Sequence, residues 1–193
     1  MNKGRLEAFS DGVIAIIITV MVLELRVPNG TTFRSLIPLA PVFFSYVLSF
    51  VFVGIYWSNH HHMLQAATRV NGRILWSNLY LLFWLSLVPF MTAWMGQNHF
   101  AALPVALYGM VLLMAGIGYQ FLLRALIACH GEDSALAVAV GSDFKGRVSL
   151  LMYGVAILLS FANRWLALAI YFVVAAIWLI PDRRFEKVLT EQK

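Results

Sequence analysis

The stretch Arg5-Leu6-Glu7-Ala8-Phe9-Ser10-Asp11-Gly12, running on through Val13-Ile14-Ala15-Ile16-Ile17-Ile18-Thr19-Val20-Met21-Val22-Leu23 to Glu24, decides the fold. Its uninterrupted apolar part, Val13–Leu23, would extend only about 16 Å as a helix at roughly 1.5 Å per residue. The hydrocarbon core of a bilayer is about 30 Å thick. To cross it, this helix must draw in Arg5, Glu7, Ser10 and Asp11 at one end and Glu24 at the other. The apolar run is followed by Glu24, Arg26 and Pro28, with no small-residue cleavage site, so a cleaved signal peptide is not expected.

Further apolar runs lie downstream, giving six spans near Leu6–Leu25, Leu39–Met63, Ile74–Met95, Phe100–Ile127, Val148–Ala162 and Trp165–Ile180. Turn-forming clusters separate them: Pro28-Asn29-Gly30, Asn71-Gly72, Gly96-Gln97-Asn98, Gly141-Ser142-Asp143 and Asn163. The last two spans are short and tightly joined, which reads as a helical hairpin. Composition agrees with this reading. Of the 193 residues 61% are hydrophobic and 12% charged, against roughly 45–50% and 25% in soluble domains. So few charges could not cover such a core in water. Soluble enzymes, nucleic-acid modules and disordered tails are set aside, and the expectation is one all-α membrane domain over residues 1–193. The single Cys129 cannot form an internal disulfide and gives no sign of an oxidising compartment.

An even number of spans puts both termini on one side of the membrane. With the amino terminus inside, only Arg26, Arg34 and Arg164 of the 14 Lys and Arg fall outside. The positive-inside rule then places both termini in the cytoplasm. Trp57, Trp76, Trp94, Trp165 and Trp178 lie towards span ends, as an aromatic belt does.

Polar residues at membrane depth carry the most information, because each is costly unless paired. Arg5 and Asp11 stand six positions apart, on different faces of a helix, so they cannot pair with each other. Each needs a partner on another helix or a hydrated vestibule; the simpler alternative is a helix start, with Ser10 or Asp11 capping free N–H groups. The second span ends in Tyr56-Trp57-Ser58-Asn59-His60-His61-His62. Consecutive histidines point about 100° apart, so no metal clamp forms, and His-Glu-x-x-His is absent. Neither a bound metal nor another cofactor is expected. One histidine facing the bundle, with Trp76 and Asn78 at the same level of the third span, could meet Arg5, Ser10 and Asp11. The alternative is that these rings simply snorkel to the headgroups. Gly12, Ile16, Thr19 or Val20, and Leu23 form one stripe of the first helix, and packing or lipid contact is its ordinary use.

These residues carry a resemblance. Arg5-x-x-x-Phe9-Ser10-Asp11 resembles the motif that opens the first helix in the transmembrane protein 175 family of endolysosomal potassium channels and their prokaryotic homologues. Trp57-x-x-His60, Asn78, Ser86-x-x-Pro89-Phe90 and Trp178-x-x-Pro181-Asp182-Arg183-Arg184 add to it, in order along the whole chain. The animal channel is similar to two such six-helix units in tandem. With one unit, this chain resembles a prokaryotic member, which implies a homotetramer in the cell inner membrane. The resemblance further implies a central pore lined by the first helix, conducting potassium and other monovalent cations. Its apolar constriction would fall at Ile16, with Thr19 one turn on and Leu23 as a further layer. Arg5, Phe9, Ser10 and Asp11 would hold that helix through a buried polar network.

An isoleucine ring gates by dewetting and by making an ion shed water, which potassium does more easily than sodium. Glu24 near the outer mouth would concentrate cations. A proton- or cation-coupled secondary transporter is the competing class; it would want an internal repeat and broken helices meeting at mid-membrane, and neither repeat nor mid-membrane acid is found in spans two to six. A membrane enzyme lacks its nucleophile or metal constellation.

Overall fold

A computed structural model describes residues 2–131, 134, 137 and 143–179. It is helical: α1 (Lys3–Leu23), α2 (Ala40–Gln65), α3 (Gly72–Ser86), α4 (Val88–Gln97), α5 (Ala102–His130), α6 (Phe144–Ala162) and α7 (Arg164–Leu179). Short 3-10 turns at Phe33–Ser35 and Ile37–Leu39 lead into α2. The chain is a multi-pass membrane protein. By length and apolarity five segments can span a bilayer, and α7, of 16 residues, is a shorter apolar helix. The spans expected from sequence coincide with these segments, while Gly141, Ser142, Ile180 and the Pro181–Arg184 motif lie outside the described residues.

Local chemistry sets the helix ends. The Asn2 side chain accepts a hydrogen bond from Gly4 N at 3.2 Å, and Asn71 accepts from Ile74 N at 3.0 Å, so each satisfies a free amide at a helix start. Asn163 does the same for Trp165 N at 3.0 Å, closing the α6–α7 hairpin. His99 and Phe100 turn the chain at positive φ (51° and 57°) between α4 and α5.

The third span is not one straight helix. Pro89 has no N–H to give to Leu85 and stands at the start of α4, so the ladder slips at Leu87. Leu87 N bonds instead to the Trp84 carbonyl, and Met91 N to Leu87. Leu87 keeps right-handed helical angles (φ −84°, ψ −13°), which makes the break a kink and not an unwound segment.

Helix α1 packs against α2, α3 and α4, whereas α5 packs against α3, α4 and α6, with α7 folded back on α6. Two apolar cores result. One gathers α1 with α3, the Val53–Leu64 half of α2 and the later part of α5 from Ala115 to Leu126; the other joins Leu48 and Phe52 to Val105, Tyr108 and Leu112 of α5 and to α6 and α7. A Cβ added to Gly118 would lie 3.0 Å from the Leu81 Cα, a tight approach that a larger residue could make only by pushing α3 and α5 slightly apart. Below that contact, His130 Nε2 accepts from the amides of Thr68 (3.0 Å) and Arg69 (3.1 Å), while its Nδ1 donates to the Leu126 carbonyl at 2.8 Å.

Candidate functional site

Helix α1 has two faces of different fate. Leu6, Ser10, Ile14, Ile17 and Met21 recur at three and four residues and are buried against the bundle. Opposite them, Gly12, Ile16, Thr19 and Leu23 are exposed, Ile16 by 62% and Leu23 by 80%. The Thr19 hydroxyl donates to the Ile16 carbonyl at 2.8 Å. With its proton turned inward, the oxygen presents its lone pairs outward, which suits a cation.

The buried face is held by a polar chain. Ser10 Oγ donates to the Leu6 carbonyl (2.8 Å) and accepts from Asn78 Nδ2 (2.9 Å). Asn78 Oδ1 lies 2.7 Å from His60 Nε2, so that nitrogen carries the ring proton and donates. Ser10, Asn78 and His60 are at most 1% exposed. A buried polar group left unpaired costs about 1–3 kcal/mol, and here each has its partner. Three helices are thereby tied at one level.

Asp11 is bound separately: Trp57 Nε1 donates to its Oδ1 at 3.0 Å, and the Trp57 ring stacks on His61. From sequence, Trp57 belongs to the aromatic belt, and His60, Trp76 and Asn78 are the candidate partners for Arg5, Ser10 and Asp11. Trp76 is 75% exposed. It stands two residues before Asn78, about 200° round the helix, so the two cannot face one neighbour together. Phe9 is 52% exposed and Arg5 is exposed, with no ion pair to Arg5 among the described residues. At this end the described ion pair is Lys3–Glu7 (3.5 Å), and Lys3 Nζ also donates to the Gln65 carbonyl at 3.1 Å.

A second polar tie went unread in the sequence. Ser49 of α2 lies 2.6 Å from Thr92 Oγ1 of α4 and 3.0 Å from the Tyr108 hydroxyl of α5, all buried. Lone hydroxyls inside apolar spans were its signal. Among the described residues no three His, Cys, Asp or Glu side chains gather as a metal site.

The family described as the endosomal/lysosomal potassium channel TMEM175 matches residues 5–89, the part containing α1, the polar chain and the start of α4. A potassium channel of Chryseobacterium sp. (strain P1-3) is 55% identical over 191 residues, 99% of this chain and 100% of that protein. The chain belongs to the TMEM175 family. Within it, a potassium channel of Chamaesiphon minutus is 30% identical over 90% of this chain and 92% of its own. The crystal structure of a lysosomal potassium-selective channel TMEM175 homolog from that organism matches with a TM-score of 0.80, covering 93% of this chain and 97% of that one at 30% identity. The human endosomal/lysosomal proton channel TMEM175 is 36% identical over 87 residues, 37% of this chain and 17% of its length. TMEM175 proteins are channels, and this member is not an enzyme.

Proposed function

We propose that this chain is a potassium-permeable cation channel: one six-helix unit over residues 1–193, four copies of which surround a pore lined by α1. The exposed Gly12-Ile16-Thr19-Leu23 face carries the reading, because the opposite face is anchored by Ser10, Asn78 and His60 and leaves this one to point away from its own bundle. Ile16 forms the narrow ring. It resists wetting and makes a cation shed part of its shell, a loss that potassium bears more readily than sodium. Thr19 oxygens, with their protons held by Ile16, offset part of that cost. Leu23 adds an apolar layer, and Glu24 beyond it attracts cations to the outer mouth. Both termini lie in the cytoplasm and the protein resides in the cell inner membrane, a placement supported by the Lys/Arg asymmetry.

The gentle kink at Leu87, with helical angles kept, favours a channel over a transporter built on unwound helices. Recording from purified protein in planar bilayers tests the reading: discrete unitary currents are expected, with a reversal potential displaced towards potassium under opposed potassium and sodium gradients. Smooth transport without unitary steps would sink it. A second reading, proton conduction, draws on the description of the human relative. Recording under a pH gradient with impermeant ions separates the two.

A further inference from the structure

The seam between α3 and α5 holds two cations that the ion pathway does not use. Gly118 sits against Tyr80 and Leu81, and His130 reaches the amides of Thr68 and Arg69 just before α3. The two helices therefore run antiparallel in one register, which brings Arg124 level with the first turn of α3, where Arg73 and Trp76 stand. The rings of Tyr80 and Phe121 meet across this seam at 5.6 Å. Arg73 lies seven residues before Tyr80 and Arg124 three after Phe121, so each guanidinium shares the helix face of its ring. Both arginines are exposed, as are Trp76 and Phe121. Neither forms an ion pair among the described residues, and neither α3 nor α5 contains an Asp or Glu. Arg124 also stands six residues before His130, about 9 Å along the axis from the helix end. A helix of 29 residues, about 43 Å long, overhangs a hydrocarbon core of about 30 Å at both ends, which brings Arg124 close to the headgroup boundary.

We propose that this seam binds an anionic phospholipid of the inner leaflet, its phosphate between Arg73 and Arg124 and its acyl chains along Tyr80, Phe121 and Phe83. The inference rests on α1 as the pore-lining helix: α1 packs on α2, α3 and α4, which leaves α5 beyond α3, at the lipid-facing rim. Charge complementarity selects an anionic headgroup, and exposed Trp76 beside Arg73, with exposed Phe83 about 15 Å further along α3 where acyl chains would run, selects a lipid over a free anion.

The test reconstitutes the full chain in phosphatidylglycerol–phosphatidylcholine vesicles, extracts it in mild detergent and measures the lipid retained per subunit. Wild type should retain phosphatidylglycerol preferentially, and Arg34→Gln should match it. Each Lys or Arg near a membrane surface contributes about fivefold, so Arg73→Gln with Arg124→Gln should lower retention roughly 25-fold. Equal retention by the double variant, or no preference in wild type, overturns the proposal, as does displacement by excess inorganic phosphate. If the double variant does not fold, wild-type tryptophan quenching by brominated phosphatidylglycerol decides: quenching no stronger than by brominated phosphatidylcholine also overturns it. Retention is read without current, so a chain that binds this lipid but does not conduct refutes the channel reading alone.

Discussion

Ile16 and Ile17 are adjacent and chemically identical, yet one is 62% exposed and the other 3%. One step of about 100° round the helix separates two physical roles. Asparagine at Ile16 meets no core; in the proposed pore it wets the neck. Ile16→Asn should assemble normally, raise unitary conductance and weaken the potassium preference measured from reversal potentials. Asparagine at Ile17 is buried with no partner provided, which costs about 1–3 kcal/mol. Ile17→Asn should therefore melt earlier and, where it assembles, conduct much as wild type does. Wild-type conductance and selectivity in Ile16→Asn would move the neck to Leu23. The stripe was legible in the sequence as spacing, but spacing leaves open which of two isoleucines faces the bundle. The other helices decide that, by supplying a groove that fits Ile14, Ile17 and Met21.

At the scale of elements, the polar chain joins α1, α2 and α3 through Asn78. Asn78→Leu removes the acceptor for the His60 N–H but leaves Ser10 bonded to the Leu6 carbonyl. The orphaned ring should cost about 1–3 kcal/mol, seen as a lower melting temperature in detergent. Replacing both partners by apolar groups can be nearly neutral, so adding His60→Phe should recover part of that loss. A single variant as stable as wild type would mean that the chain is not a tie. The sequence revealed the level of this network but not all its members. Level follows from rise per residue, and Ser10, His60 and Asn78 meet at one level. Facing depends on how each helix is rotated, and this separates Trp57, which reaches Asp11, from Trp76, which does not. The spans were readable because their length is a solvent requirement. The kink was not, because Pro89 can begin a helical turn as easily as it can end one.

For the whole molecule, orientation follows from charge. A cysteine at Asn98 in a Cys129→Ala background should react with an impermeant reagent on intact cells, whereas one at Asn71 should not. Both positions are exposed, so failure to react reports sidedness and not burial. Replacing the Asn71 cap costs about 1 kcal/mol, a loss the fold should tolerate. Labelling of Asn71 from outside would invert the topology. Surface connections usually absorb insertions and deletions over evolutionary time. The connection from α2 to α3 has lost that freedom, because the doubly accepting His130 ring pins Thr68 and Arg69 to the end of α5. One residue gained or lost between that pin and α3 would turn α3 by about 100° and carry Asn78 away from His60. Lineages of this protein can therefore vary the exposed Thr68 and Arg69 far more freely than the length of that stretch, in which Val70 packs on the core and Asn71 caps α3.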